Sequence, residues 1–355
     1  MNHLQDLKKA LTEAYAQSSL QNASKIAQSK SLEKLIRNHR EDQRLISTIL
    51  HMADVTDTYN DPNDIDLALD TIDLGKIYER VDARENEDTK LAYQDLLVIE
   101  LLHYFKHDFF TWVTKPKCPQ CHNDGDNIEP QGSSNPPNPN PDEISVVENY
   151  RCVECGVNVD FARINRPAKL LETRLGRCGE WVNCFMLLLR ALLGAEGHIR
   201  YVWNNEDHVW CEFYSDSQSR WIHLDPCEDV FDDPNLYCQN WGKKMSYCIG
   251  FGDSYVIDLS EKYITNKDKQ IDKKSVVSDL QLVPQLIRQI NARKLLKTYE
   301  SFRFDTNALQ RIYDILVMFN NEKVGFLAPV GSKTEAVGRQ SGTAEWTSAR
   351  GEGGS

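Results

Sequence analysis

The sequence predicts an α+β protein: an antiparallel sheet that carries the chemistry, a cysteine-rich insertion ahead of it, and helical segments on both sides. Three observations support this. Residues 208–214 and 220–225 are rich in β-branched and aromatic side chains and flank the polar run Ser215-Asp216-Ser217-Gln218-Ser219, a hairpin signal. Two Cys-x-x-Cys pairs, Cys118/Cys121 and Cys152/Cys155, stand upstream with thirty residues between them. Apolar residues recur at helical spacing before residue 114 and again after 276.

From the N-terminus, Leu4, Leu7, Leu11 and Ala14 mark a first amphipathic helix over 1–16, and Leu32, Leu35, Ile36, Leu45, Ile46 and Ile49 continue the pattern over 31–52. The first stripe either packs on the core or docks a partner, and periodicity alone favours packing. Residues 54–92 are acidic and mixed, with a short helix near Leu67–Ile72, and 93–113 form a mostly buried helix.

The paired Cys-x-x-Cys knuckles predict a tetrahedral four-cysteine zinc site made of Cys118, Cys121, Cys152 and Cys155. Four thiolates leave no position for water, so the site is structural. A redox motif is the alternative, but that uses one pair at a helix start. The insert 130–142, Pro-Gln-Gly-Ser-Ser-Asn-Pro-Pro-Asn-Pro-Asn-Pro-Asp, is expected to be a flexible exposed loop.

After Gly176-Arg177-Cys178-Gly179, the spacing of Trp181, Cys184, Phe185, Leu188, Leu189 and Leu192 predicts a helix that stops at Gly194. Strands are expected at 199–203, near Tyr247–Phe251 and at Ser254–Asp258, and helices return with Leu280 to Ile290 and Leu309 to Phe319. The final stretch, 331–355, is rich in Gly, Ser and Thr, and composition alone makes it a disordered tail. The expected organisation is therefore 1–52, 53–117, a zinc-binding 118–156, a catalytic core 157–260, a helical 261–330 and the terminal 331–355.

The chemistry lies in Cys178, His208 and Asp225. A thiolate attacks a carbonyl, an imidazole moves protons and a carboxylate orients the imidazole. A hairpin turning between Asp216 and Ser217 sets His208 opposite Asp225, Trp210 opposite His223 and Glu212 opposite Trp221, with Cβ atoms ~5 Å apart on one face. Val209, Cys211, Phe213, Ile222 and Leu224 then form the core face. Cys178, at a helix N-terminus, is expected to have a lowered thiol pKa. Cys184, Cys211, Cys227, Cys238 and Cys248 read as structural.

The chain has 355 residues and a net charge of −12 without a basic run, which argues against nucleic acid as its ligand. No apolar run reaches the ~18 residues of a membrane span, so no membrane insertion is expected. Ten cysteines behind an N-terminus with no apolar signal core point to a reducing compartment.

These motifs in order, with Arg200-Tyr-Val-Trp, Glu206-Asp-His-Val-Trp-Cys-Glu212, His223-Leu-Asp-Pro-Cys-Glu228 and Asn240-Trp-Gly-Lys-Lys, resemble the cytoplasmic peptide:N-glycanases of the transglutaminase-like, papain-like superfamily. The resemblance covers about 118–251. Gly338-Arg-Gln-Ser-Gly342, Glu345-Trp346 and Arg350-Gly-Glu352 also look like the family, implying that part of 336–352 packs on the core. The interval from Cys178 to His208 departs from the family pattern by a few extra residues within Ala191–His198. The resemblance implies cleavage of the amide between asparagine and the first N-acetylglucosamine of misfolded glycoproteins, with Cys178 as nucleophile, His208 as acid–base and Asp225 as orienter. It implies sugar contacts from Glu228 and Trp221, with Glu212 also near the site and Trp210 aiding the oxyanion. It further implies a ubiquitin-receptor shuttle protein of the excision-repair type, and through it the proteasome, as partners of the N-terminal helix. The expected setting is cytoplasmic, the nucleus being the second compartment open to it. A protein transglutaminase, another cysteine acyl-transferase or protease, and a non-catalytic repair or proteasome scaffold are the rival readings.

Overall fold

The computed structural model describes residues 2–87, 91–195, 197–325 and 338–354. In chain order its elements begin with helices α1 (Asn2–Gln28), α2 (Ser31–Asn38), α3 (Gln43–Met52), α4 (Pro62–Thr71), α5 (Leu74–Glu87) and α6 (Tyr93–Tyr104). A π-helical turn, Phe105–Phe109, leads into β1 (Thr111–Trp112), β2 (Ile128–Ser134), β3 (Ile144–Cys152) and β4 (Asn158–Ile164). Helix α7 (Pro167–Thr173), β5 (Leu175–Gly176) and α8 (Cys178–Leu193) precede β6 (Ile199–Asn204), β7 (His208–Ser215), β8 (Arg220–Asp225) and β9 (Val230–Phe231). The chain continues with β10 (Cys248–Gly252), β11 (Val256–Asp258), α9 (Ser260–Tyr263), α10 (Leu282–Ser301), α11 (Ala308–Gly325) and α12 (Ala344–Ala349). Among the described residues no helix is long and apolar enough to cross a membrane.

These elements group into two compact units that interleave along the chain. The first comprises residues 1–55, 204–206 and 245–333. In it the second half of α1 packs on α10 and α11 through Ala16, Leu20, Ala23, Ala292, Leu295 and Ile312. The first half of α1 does not follow the packing expected from its periodicity. Leu4, Leu7 and Leu11 are 76%, 55% and 62% exposed, because the helix runs on to Gln28 and its buried apolar contacts, Ala16, Leu20 and Ala23, fall beyond Tyr15. Strands β10 and β11 form an antiparallel pair here, with Gly250 opposite Ile257.

The second unit, residues 56–203, 207–244 and 334–355, carries the predicted chemistry. Helix α8 is its centre: Val182, Cys184, Phe185, Met186, Leu187, Leu188 and Leu189 are fully buried. It packs against α4, α7 and β7. The helix expected over 93–113 ends at Tyr104, where Phe105 stacks on Phe110 at 5.1 Å and meets Trp181 and Phe185 edge-on.

The β7–β8 hairpin forms, but its register differs from the expected one. Glu212 pairs with His223, Tyr214 with Trp221 and Ser215 with Arg220. The turn is therefore centred one residue later, over Asp216–Ser219. The Ser215 hydroxyl accepts the Gln218 amide at 3.2 Å there, and Ser219 takes a positive φ of 51°. Moving the centre by one residue shifts the pairing by two, which keeps each side chain on its face. His208, Trp210, Glu212, His223 and Asp225 still share one side.

The insert also differs from expectation. Residues 130–134 belong to β2, which pairs with β3 through a bulge between Pro130 and Gly132, and β3 pairs with β4. Backbone pairing, which the Pro- and Asn-rich composition does not announce, orders this half of the expected loop. Its side chains are exposed as foreseen.

Candidate active site

Cys178 opens α8, and the residues around it explain why the chain turns there. Gly176 sits so close to Glu180 that a Cβ would lie 2.2 Å from the Glu180 Cβ, so only glycine fits. Glu180 accepts the Arg177 amide at 3.0 Å, capping the helix. Arg163 of β4 reaches the same carboxylate with Nε at 2.6 Å and a second nitrogen at 3.0 Å. Arg177 donates to both oxygens of Glu148 on β3, at 3.0 and 2.7 Å, and to the hydroxyl of Tyr150 at 3.1 Å. The residue before Cys178 is thus bolted to the β2–β3–β4 sheet, and Cys178 presents a partly exposed side chain at the helix start.

His208 opens β7 and is buried. Its Nε2 donates to Asp225 Oδ2 at 3.1 Å. Its Nδ1 has no hydrogen-bond partner among the described residues. With the proton on Nε2, Nδ1 carries the lone pair and is the basic nitrogen. Asp225 accepts two further bonds, from the Tyr237 hydroxyl at 3.0 Å and the Cys227 amide at 2.9 Å. His223 donates in turn to the Tyr237 hydroxyl at 2.7 Å.

One charge, the Arg339 guanidinium, acts on both the thiol and the imidazole. Burial pushes the Cys178 thiol above its ordinary value, opposed by the Arg339 guanidinium and reinforced by Asp207, the neighbour of His208. Burial and the same Arg339 charge hold His208 well below the ordinary histidine value, with Glu352 opposing. The direction for Cys178 is the reverse of the expected one: desolvation outweighs the helix N-terminus.

The terminal segment builds the floor of this site, contrary to the tail that its composition suggests and in line with the packing implied by the resemblance. Residues 331–337 of that segment lie outside the described residues. Gly338 runs so close to Gly353 that a Cβ would meet its carbonyl at 2.3 Å. Arg339, buried, pairs with Glu352 at 2.8 Å and is caged by the rings of Trp112, Trp241 and Trp346 at 4.9, 5.1 and 4.6 Å. Lys243 meets the other oxygen of Glu352 at 2.6 Å, and Arg350 binds Asp207. Burial alone would raise the Glu352 carboxyl, but His208, Lys243 and Arg339 hold it at about 2. Arg339, Glu352, Lys243 and Tyr237 are absent from the sequence-derived candidates; the Gly-Arg, Arg-Gly-Glu and Asn-Trp-Gly-Lys-Lys strings gave a signal for the first three, and nothing gave one for Tyr237.

The four expected substrate residues have other surroundings. Glu212 is fully buried and paired with Arg200, whose guanidinium lies 4.0 Å above the Trp221 ring. Trp210 is fully buried and stacked on Tyr237 at 4.2 Å, where it supports the wall behind His208. Glu228 accepts the amides of Gln340 and Ser341 at 2.9 and 3.0 Å and so anchors the terminal segment.

Cys118, Cys121, Cys152 and Cys155 gather with all sulfurs within 4.8 Å of one another. Individual Sγ–Sγ separations are 3.4 Å for Cys118–Cys155 and Cys121–Cys152, and 3.7 Å for Cys121–Cys155. A tetrahedral ion with ~2.3 Å metal–sulfur bonds spaces its ligands ~3.8 Å apart. The cluster fits a metal ion. The amides of Cys121 and Gln120 point at the Cys118 sulfur and pull its thiol down to about 6. Ile128, Tyr150 and Val159 pack around it, so the cluster and the sheet that grips Arg177 share one small core.

A hairpin that pairs an imidazole with a carboxylate, and a helix that opens on a cysteine, are what a protein of the transglutaminase-like class presents. Residues 129–226 match the transglutaminase-like superfamily, and residues 203–306 match the Rad4 transglutaminase-like domain. Curated relatives named peptide-N(4)-(N-acetyl-beta-glucosaminyl)asparagine amidase include that of Debaryomyces hansenii, 50% identical over 91% of this chain and 90% of the relative. The Saccharomyces cerevisiae protein of that name is 39% identical over 91% and 88%. The one from Mus musculus is 42% identical over 76% of this chain but 39% of its own length. This chain belongs to the peptide-N(4)-(N-acetyl-beta-glucosaminyl)asparagine amidase family.

Proposed function

We propose that this protein releases N-linked glycans from misfolded glycoproteins, converting the glycan-bearing asparagine to aspartate. The observation that carries the reading is the polarity of His208: Nε2 is held by Asp225 at 3.1 Å, which leaves Nδ1 as the base for a thiol. Cys178 Sγ attacks the side-chain carbonyl carbon of the asparagine while its proton passes to His208 Nδ1. The oxyanion faces the N-terminal amides of α8, which have no carbonyl partner within the helix. Collapse breaks the carbon–nitrogen bond, and His208 returns the proton to the departing glycosylamine. Water, deprotonated by His208, then opens the thioester and leaves aspartate.

The four-cysteine cluster takes zinc in this reading. When bound, the ion supplies folding energy and no reactive chemistry, because all four ligands are thiolates. The exposed stripe Leu4, Leu7, Leu11 on α1 is the surface for a ubiquitin-receptor shuttle protein of the excision-repair type, and through it the proteasome. Ten free thiols fit a reducing setting, the cytoplasm and the nucleus.

The test is incubation of a denatured high-mannose glycoprotein with the wild type and with Cys178→Ala, read by mass spectrometry for the asparagine-to-aspartate change. Wild type makes the change and Cys178→Ala does not. Appreciable conversion by the folded variant would place the nucleophile elsewhere.

A further inference from the structure

Two imidazoles and a carboxylate converge on one point of the surface. His103 lies in the last turn of α6, and His107 lies four residues on, in the π-helical turn that follows. That spacing puts both on one face of the helical segment, with ring centroids 4.4 Å apart. Asp229 approaches from the turn between β8 and β9, whose closing pair is Asp225–Val230. Its Oδ2 lies 2.9 Å from His103 Nδ1 and 3.2 Å from His107 Nε2.

We propose that His103, His107 and Asp229 form a second metal site, for an exchangeable divalent cation of the zinc class. Two imidazoles and one carboxylate are a donor set for borderline transition metals, whereas magnesium and calcium take oxygen ligands. The geometry suits such an ion. Metal–ligand bonds of ~2.0–2.1 Å in a tetrahedral shell space the ligand atoms ~3.3 Å apart. The observed separations need to widen by only a few tenths of an ångström. Three protein ligands leave a fourth position for water, and the side chains are 44%, 49% and 22% exposed, so an ion reaches them from solvent. The four-cysteine cluster differs on both counts: its shell is complete, and Cys118 and Cys152 are buried.

The convergence has another explanation without an ion, in which both rings simply donate to one carboxylate oxygen. Binding separates the two. The protein is prepared with its four-cysteine site loaded with zinc, and further Zn2+ is titrated by calorimetry. The wild type takes up one additional equivalent. His103→Ala/His107→Ala, which alters two half-exposed side chains, keeps its circular dichroism spectrum and does not take up that equivalent. Asp229→Asn keeps the turn, because asparagine tolerates the φ of 57° found there. It weakens the second site by at least the roughly 10–100-fold seen when even an outer-shell partner is lost. With Cu2+ as a probe, the electron paramagnetic resonance spectrum of the wild type shows coupling to imidazole nitrogen, and the double variant loses that signal. An additional equivalent that persists in the double variant, or none in the wild type, overturns the site.

Discussion

Tyr237 donates its hydroxyl to Asp225 Oδ2 at 3.0 Å, the same oxygen that His208 reaches at 3.1 Å. One carboxylate oxygen thus fixes two rings, and the tyrosine fixes the carboxylate. Tyr237 is fully buried under Trp210 and is a positioning residue. Tyr237→Phe keeps the ring and removes one donor. A hydrogen bond to a charged group is worth about 1.5–3 kcal/mol, so kcat falls by roughly ten- to a hundredfold while KM is unchanged. Asp225→Asn goes further: it holds the imidazole in the wrong tautomer, and kcat drops by about four orders of magnitude. Steady-state kinetics on a fluorescent glycopeptide measure both. A loss smaller than tenfold for Asp225→Asn contradicts the assigned role.

The pH profile follows from His208. Burial and Arg339 hold its pKa well below the ordinary histidine value. A base with a depressed pKa stays unprotonated as pH falls, so the acid limb of kcat/KM lies below about 6.5, the unperturbed value. Removing the Arg339 charge, as in Arg339→Gln, moves the limb upward. An acid limb at or above 6.5 in the wild type disagrees with the buried imidazole.

Stability has its own acid signature. Glu352 has a pKa of about 2 in the folded protein, while an unfolded glutamate titrates near 4.3. Its stabilising contribution is full above the unfolded value and is lost as pH falls from about 4.3 toward 2. Urea denaturation across that window shows a steeper loss for the wild type than for Glu352→Gln. At neutral pH, Arg339→Ala leaves Glu352 buried with one partner fewer and costs about 3–5 kcal/mol. A cost under about 1 kcal/mol means that the terminal segment is dispensable to the fold.

Removing metal tests the sheet beside the thiol. With zinc in the four-cysteine cluster, as proposed, its removal lowers the melting temperature, because structural zinc contributes directly to folding. Activity falls with it, since Glu148 and Tyr150 on β3 hold Arg177, next to Cys178. Calorimetry and glycopeptide turnover after treatment with a strong chelator measure the two together. An unchanged melting temperature rules out a structural metal.

The elements that carry Cys178, His208, Asp225 and the four cysteines were legible because they depend on local patterns. The helix after Cys178, the hairpin carrying His208 and Asp225, and the cysteine pairs each follow from spacing within a few residues. The exact register was not legible, because it is set by Ser215 hydrogen-bonding within the turn, and the hydrophobic pattern fixes only which face each residue takes. The surroundings of Glu212, Trp221 and Glu228 were illegible for a different reason. Polar and aromatic side chains near a site look alike in sequence whether they meet solvent or a partner such as Arg200 or the Ser341 amide. Arg339 escaped notice because glycine- and serine-rich composition describes the average of a segment, while one buried arginine and one buried glutamate determine where it goes.

The dependence of His208 on Arg339 and Glu352 bears on how the protein is made. The ribosome delivers the thiol, the imidazole and its carboxylate long before residues 338–354 emerge. A nascent chain therefore carries Cys178, His208 and Asp225 before Arg339 and Glu352 have been added. The last stretch of the chain to be made therefore carries the charge that acts on both residues.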